Sequence, residues 1–313
     1  MIGGSYPGAL SAWFRYTYPN IATASWASSA VVQPWVDMWT YDEQIYDSTS
    51  QISHECALTL QRFQQYGTTQ AIFRNAGENN QITDVLAGTP GAGMLTDDFL
   101  AYMGDIPAGY VQYGHATEFC NIWDGYVDLN EQDLFTAVIY YEYNEGNYPW
   151  DYSTAKGSKI QSTTIDTTYS SRQWTWQYCT EFGWFQVASR LHQERSEFVD
   201  EQYFANQCNE IFGLDMSVYP DIAATEAAFG GGNKINATNT FFANGKEDPW
   251  KWVTQLEDRP EINQPSVVSQ CTGCGHCCEL YTPEASDPQE LKDTRQQIYN
   301  WLDLILNPTQ LLE

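Results

Sequence analysis

The sequence predicts a mixed α/β fold that carries a large helical insertion. A glycine-rich turn near the N-terminus stands between a short apolar segment and a helical pattern. Short apolar segments that are typical of strands follow at residues 21–32, 239–245 and 266–269. The first and second of these segments lie more than two hundred residues apart, far more than the connections of one sheet require. We therefore assign a sheet-bearing portion to residues 1–44 and 216–313, and an inserted helical domain to residues 45–215.

The N-terminal turn at residues 3–8 has the sequence Gly-Gly-Ser-Tyr-Pro-Gly, with Ser5 at its centre. Small residues around a serine allow the strained strand-to-helix turn, the nucleophile elbow, that exposes a catalytic hydroxyl in α/β-hydrolases. Pro7 replaces the last glycine of the strict G-x-S-x-G pattern, and an ordinary surface turn has a similar composition. The helical pattern that follows, which Pro19 ends, favours the nucleophile elbow.

An acid and a base with the right order for a triad lie near the C-terminus. Asp248 follows the strand predicted at residues 239–245, where a carboxylate can accept the Nδ1–H of a histidine. The alternative is that Asp248 and Pro249 form an ordinary turn, for which the sequence Asp-Pro is also typical. The histidines are at positions 54, 115, 192 and 276, and only His276 comes after a late strand and before a terminal amphipathic helix. The order Ser5, Asp248, His276 is the triad order of α/β-hydrolases.

Five segments in this order resemble the Pro-Xaa serine peptidases, the family of lysosomal prolyl carboxypeptidase, dipeptidyl peptidase II and thymus-specific serine protease. The resemblance covers nearly the whole chain, and relative to the family pattern the N-terminal part is missing. The segments that carry it are residues 3–8, 27–30, 177–183, 236–250 and 275–277.

This resemblance implies an α/β-hydrolase sheet, without its N-terminal strands, and a helical cap over the active site. It implies an exopeptidase that cleaves proline-containing peptides next to proline, and it requires no cofactor. Ser5 would be the nucleophile, His276 the base and Asp248 the residue that orients it, while the backbone N–H of Tyr6 would bind the oxyanion. Without the N-terminal strands, the fragment is expected to be poorly active or inactive.

Two further residues are candidates for substrate binding. Trp250 beside Asp248 would form one wall of a pocket for a proline ring, although aromatic residues are more often core material. Glu181 would recognise a substrate terminus or make a buried contact within the cap, and we favour the structural role.

The eight cysteines form two groups. Cys56, Cys120, Cys179 and Cys208 are dispersed, as expected for disulfides in an oxidising compartment. The family resemblance and the spacing favour the pairs Cys56–Cys120 and Cys179–Cys208. Four more cysteines crowd into residues 271–278 around His276, where the C-x-x-C spacing also suits zinc. We favour local disulfides and assign no metal.

The net charge and the lack of a long apolar run limit the candidate partners and compartments. A net charge of −26, from 14 basic and 40 acidic residues, argues against a nucleic-acid partner. The same acidity suits an acidic lysosomal or vacuolar lumen, or secretion, and no apolar run predicts a membrane span. Asn236 begins a glycosylation sequon, and a homodimer is a candidate assembly.

Two functions other than catalysis remain open at this stage. One is a non-catalytic, secreted peptide- or glycan-binding protein that retains the hydrolase scaffold. The other is an interaction module that zinc stabilises through residues 271–278.

Overall fold

A computed structural model describes residues 1–307, in which the chain divides into two compact units. The first unit comprises Met1–Pro34, Val111–His115 and Ile222–Glu313, and the second comprises Trp35–Tyr110 and Ala116–Asp221. The domain boundaries expected from the sequence remain predictions, and their last six residues, 308–313, lie outside the described residues.

The described residues form six strands and eleven α-helices. The strands are β1 (Ile2–Gly4), β2 (Ser25–Ser28), β3 (Trp35–Asp37), β4 (Gly183–Phe185), β5 (Thr240–Gly245) and β6 (Ser266–Ser269). The helices are α1 (Tyr6–Thr17), α2 (Trp39–Ile52), α3 (His54–Asn75), α4 (Gln81–Leu86), α5 (Thr96–Gln112), α6 (Ala116–Trp123), α7 (Glu131–Glu145), α8 (Ser171–Gln177), α9 (Glu201–Phe212), α10 (Ile222–Phe229) and α11 (Gln289–Leu306). None of these helices has the length and apolar character that a membrane crossing requires.

The first unit contains a four-stranded sheet in the order β1-β2-β5-β6, and every neighbouring pair is parallel. Gly4 pairs with Ser28, and Ser28 with Ala243, so the strands end at one common edge. The mixed α/β fold predicted from the sequence is confirmed.

Apolar faces hold the first unit's helices on this sheet. Pro7 lies in the first turn of α1, where its missing N–H leaves no helical hydrogen bond unmade. On another helix of this unit, α11, Ile298 is fully buried and packs in a cluster with Trp26, Phe241 and Ala243 of β2 and β5. Burying a side chain of this size stabilises a fold by about 1.5–3 kcal/mol.

The second unit is mainly helical. Its largest buried side chains include Phe63, Phe99, Phe119 and Phe135, which come from helices α3, α5, α6 and α7. Disulfides join Cys56 to Cys120 and Cys179 to Cys208. Each of these bridges removes conformational freedom from the unfolded chain and is worth about 2–4 kcal/mol.

Within the inserted helical domain, the sequence also predicts a helix at residues 181–192, which is absent from the structure. Residues Tyr178–Phe182 form a π-helical turn, and β4 follows at once and pairs in parallel with β3. Gly183 causes the change, because it has a φ of 75° and a Cβ there would lie 2.8 Å from the Trp35 carbonyl oxygen. The apolar run therefore joins a two-stranded sheet, and the helical interpretation is wrong.

Several carboxyl groups are buried away from water. Burial raises the pKa of Asp42 to about 6, although the charge of Arg195 and two backbone N–H donors act against this. Burial likewise raises the pKa of Asp98 to about 6, and it raises the pKa of Glu194 well above its ordinary value. These folded-state carboxyls bind protons more tightly than their unfolded counterparts. Their contribution to stability is therefore full below the unfolded pKa and is lost as pH rises through the folded pKa.

We predict that the protein is more stable at acidic than at neutral pH. Between about pH 5 and pH 7.5, the loss from Asp42 and Asp98 should lower the thermal midpoint by about 5 °C. Calorimetry across this range measures the change. Asp98→Asn, which cannot titrate, should reduce the pH dependence, and a midpoint that rises towards neutral pH would contradict the prediction.

Candidate active site

Ser5 lies in a strained turn between β1 and α1. Its φ of 61° and ψ of −132° are rarely adopted by residues other than glycine, and its backbone N–H donates to the Ser28 carbonyl oxygen at 2.9 Å. Strain of this kind persists only where the surroundings hold it, and it concentrates at functional sites. The turn has the geometry of a nucleophile elbow, with a half-buried serine at its tip.

Asp248 is fully buried just beyond the end of β5. Its backbone N–H donates to the Gly245 carbonyl oxygen at 3.3 Å, and its Oδ1 accepts the backbone N–H of Trp250 at 2.9 Å. These bonds fix the carboxylate at the start of the 3₁₀ turn Pro249–Val253. One face of the carboxylate is then directed at the histidine.

His276 lies on the loop after β6, with its Nδ1 3.0 Å from both carboxylate oxygens of Asp248. Because a carboxylate only accepts hydrogen bonds, Nδ1 carries the proton, and its N–H donates a hydrogen bond to Asp248. The other ring nitrogen, Nε2, is buried and forms no hydrogen bond with any residue in 1–307. The structure therefore brings Asp248 and His276 together and leaves Nε2 available as a base.

Ser5 and the histidine loop are neighbours, although no hydrogen bond joins Ser5 to His276 within the described part of the chain. A Cβ on Gly4 would lie 2.8 Å from Leu280 Cδ1 and 2.9 Å from Cys277 Sγ, so a larger residue before Ser5 would displace these side chains. The backbone N–H of Cys277 also donates to Ser29 Oγ at 2.8 Å, at the end of β2. The residue after His276 therefore packs directly against the residue before Ser5.

The pKa of His276 is raised well above its ordinary value. Burial disfavours the imidazolium and lowers this pKa. The charge of Asp248 and its hydrogen bond together raise the pKa by more than burial lowers it, and Cys277 acts in the same direction as Asp248. The histidine therefore gives up its proton only at higher pH than a free imidazole. Its neutral form, which a general base needs, is favoured by rising pH.

Sequence reasoning missed the residues that hold the histidine loop. The carbonyl oxygen of Gln112 accepts the backbone N–H of His276 at 2.6 Å, and its Oε1 accepts the indole N–H of Trp250 at 2.8 Å. Arg295 of α11 donates to the carbonyl oxygens of Glu279, Cys278 and Tyr281. No local pattern around Gln112 or Arg295 marks either contact.

The other predicted site residues have varied surroundings. Tyr6 begins α1 directly after Ser5, and the largely buried ring of Trp250 lies 6.4 Å from that of His276. Glu181 of the second unit is exposed, so the alternative of a buried contact is wrong. Asn236 is exposed and its Oδ1 accepts a hydrogen bond from Arg259.

The cysteines near His276 divide into a bridge and two thiols. Cys271 and Cys274 form a disulfide, so neither is available as a thiolate ligand for a metal. Cys277 and Cys278 are free, and burial raises the pKa of the Cys278 thiol. A buried neutral thiol of this kind is a poor metal ligand.

We predict that Asp248→Asn lowers the pKa of His276 below the ordinary value of a histidine. The substitution removes the charge that raises this pKa and leaves the burial that lowers it. An NMR titration of the imidazole resonances measures the shift, which the small number of histidines makes simple to assign.

The matched control for this titration is Glu43→Gln. It removes the carboxylate oxygen that lies 2.8 Å from His192 Nδ1, and it should leave the titration of His276 unchanged. An unaltered His276 titration in Asp248→Asn would show that the Asp248 charge does not control this base.

Comparison with known proteins identifies relatives over almost the whole chain. The model of the serine carboxypeptidase S28 family matches residues 1–298. A probable serine protease of Arabidopsis thaliana is 30% identical over 97% of this chain and 62% of its own length. The thymus-specific serine protease of Mus musculus is 26% identical over 96% of this chain and 63% of its own length. The lysosomal Pro-X carboxypeptidase of Homo sapiens is 23% identical, with corresponding shares of 96% and 62%.

The chain thus spans about three fifths of the length of these relatives. Its family consists of serine-type peptidases with the α/β-hydrolase fold. Strained Ser5, buried Asp248 and the paired His276 all lie in the matched region. The chain belongs to the serine carboxypeptidase S28 family.

Proposed function

We propose that the protein is a serine exopeptidase that hydrolyses peptide bonds next to proline, with Ser5, His276 and Asp248 as its triad. The observation that carries this proposal is the Asp248–His276 pair, in which Nδ1 lies 3.0 Å from both carboxylate oxygens and Nε2 is left without a partner among residues 1–307. Membership of the S28 family supports the same chemistry.

The reaction begins with proton transfer from Ser5 Oγ to His276 Nε2 as the oxygen attacks the scissile carbonyl carbon. The tetrahedral oxyanion accepts a hydrogen bond from the backbone N–H of Tyr6, which follows the nucleophile at the start of α1. His276 then protonates the leaving amine as the C–N bond breaks. His276 next accepts a proton from a water molecule as that water attacks the acyl carbonyl carbon, and it returns the proton to Ser5 Oγ as the ester C–O bond breaks.

Asp248 acts through the histidine rather than on the substrate. Its carboxylate holds the Nδ1–H tautomer and stabilises the imidazolium that forms during the attack. The bond from the Trp250 backbone N–H and the complete burial of Asp248 keep the carboxylate in place. This rigid pairing lowers the reorganisation needed in the transition state.

Proline preference is proposed from the relatives and from one aromatic residue. The human relative is named a Pro-X carboxypeptidase. Trp250 is 8% exposed, and its ring, 6.4 Å from that of His276, would form one wall for a flat apolar proline ring. Glu181 is a further candidate that would bind a charged substrate terminus.

The same proposal includes a role for the second unit, a compartment and an assembly. We assign the second unit the role of the helical cap, and we assign the protein to the lysosome, the vacuole or the cell exterior. Three disulfides favour an oxidising compartment, and the buried carboxyls favour an acidic one. Asn236 is exposed, as a glycosylated asparagine must be, and a homodimer remains the proposed assembly.

The non-catalytic alternatives make different demands. A peptide- or glycan-binding protein would keep the scaffold but would not need an unpartnered buried imidazole nitrogen, which costs free energy. The zinc-stabilised module loses two of its sulfur ligands to the Cys271–Cys274 disulfide. Catalysis therefore uses more of the observed features than either alternative.

We predict that a fluorophosphonate probe labels the protein at Ser5. Ser5→Ala should abolish labelling, and Ser286→Ala, which changes an exposed serine elsewhere, should leave it unchanged. The labelling rate should rise with pH through the raised pKa of His276, because the base must be neutral. Mass spectrometry of the adduct measures the labelled residue and the labelling rate. Labelling that survives Ser5→Ala would contradict the assignment of the nucleophile.

We also predict a preference for substrates with proline next to the scissile bond. Replacing that proline by alanine should lower kcat/KM by about tenfold or more, because the aromatic wall loses its contact with the ring. One peptide with a blocked N-terminus and one with a blocked C-terminus distinguish the two exopeptidase modes. Equal rates for the proline and alanine peptides would refute the preference while leaving the triad intact.

A further inference from the structure

The second unit contains a cavity of about 830 Å³ that the proposed catalysis does not use. This volume lies in the range of cavities that bind small molecules. It is lined by residues from the 3₁₀ turn Lys159–Gln161, from the irregular segment at residues 162–169, from α8 and from the end of α9. The lining residues that matter here are Lys159, Ile165, Asp166, Tyr169, Arg172, Trp176 and Phe212.

Aromatic rings hold two cations at this cavity without neutralising them. The Lys159 Nζ lies 4.1 Å from the centroid of the Tyr169 ring, and the Arg172 Cζ lies 4.6 Å from that of Phe212. A ring face attracts a cation through its quadrupole but carries no net charge. Arg172 also donates from Nη1 to the Ile160 carbonyl oxygen at 2.7 Å, again a neutral partner. Neither the rings nor this carbonyl group neutralises the two positive charges, although the charge of Lys159 also acts on the carboxylate of Asp166.

The charge balance of the cavity is unusual for this chain. Two cations face one carboxylate, Asp166, and the Oδ1 of that carboxylate already accepts the N–H and O–H of Thr168 at 2.8 and 2.6 Å. The cavity thus carries a net charge of about +1, within a chain whose net charge is −26. A single negative charge on a ligand would balance it.

Exposed apolar surface lies beside the cations. Trp176 is 46% exposed although its ring packs edge-on against Phe212, with centroids 5.2 Å apart. Arg172 and Trp176 are four residues apart on α8, so they share one face of the helix. Ile165, also at the cavity, is 92% exposed. A flat apolar group could cover this surface while its acid group reaches a cation.

We propose that this cavity is a binding site for small aromatic carboxylates. The carboxylate pairs with Lys159 and Arg172, and the ring of the ligand lies on the face of Trp176. The site is built from the second unit alone and does not depend on the proposed peptidase activity.

The test compares N-acetyl-L-tryptophan with its neutral amide, N-acetyl-L-tryptophanamide, as ligands of the full chain. Isothermal calorimetry or ligand-detected NMR gives both dissociation constants. The carboxylate should bind about tenfold more tightly than the amide, because only the carboxylate forms charge-assisted hydrogen bonds. Lys159→Met should weaken binding of the carboxylate about fivefold and leave the amide unchanged, whereas Trp176→Ala should weaken both.

A second lysine–aromatic pair provides the matched control. Lys251 Nζ lies 5.0 Å from the centroid of Trp252, in the first unit and outside the cavity, so Lys251→Met should not alter binding. Three outcomes would each overturn the proposal: equal affinity for the acid and the amide, equal losses of affinity for the acid in Lys159→Met and Lys251→Met, or no binding at about 5 mM ligand. Thermal midpoints of the variants show whether they are folded.

Discussion

The parallel register of four strands is the constraint on which the candidate site depends. Because β1, β2, β5 and β6 run in the same direction, the residues that follow them meet at one edge of the sheet. Ser5 comes directly after β1, Asp248 three residues after β5, and His276 on the loop after β6. Slipping one strand by a residue would turn its side chains to the opposite face and separate these groups.

The sheet brings the loops to one edge, but contacts from distant parts of the sequence fix their conformations. Ser5 keeps an unfavourable φ because its N–H is bonded to β2 and α1 starts immediately after it. The histidine loop is bonded through its backbone to Gln112 and to Ser29. Arg295 then satisfies three carbonyl oxygens of the following turn. Such a loop cannot rearrange without leaving buried polar groups unpaired, at a cost of about 1–3 kcal/mol each.

Local patterns explain how much of this could be predicted from the sequence. The strands β5 and β6 and the helices α1 and α11 lie where apolar periodicity, prolines and capping residues indicated them. The strand expected at residues 21–32 is shorter, since only Ser25–Ser28 pairs with its neighbours. The helix expected at 181–192 failed because its apolar run is also compatible with a strand, and one glycine decides between them. Gln112 could not be predicted, because its contact with His276 spans more than a hundred and fifty residues and leaves no periodic signal.

Desolvation acts on the carboxyls and on the histidine in opposite senses, and the outcome at each group depends on its partners. It raises the pKa of Asp42 and Asp98, whose hydrogen-bond donors only partly compensate. Desolvation alone would lower the pKa of His276, but the charge of Asp248 and its hydrogen bond to the imidazole raise this pKa by more. The folded protein is therefore more stable at acidic pH, whereas the neutral form of His276 is favoured at alkaline pH. The proposed peptidase would work between these two pH limits: the charge of Asp248 sets the lower one, because it decides where His276 loses its proton, and the loss of stability with rising pH sets the upper one.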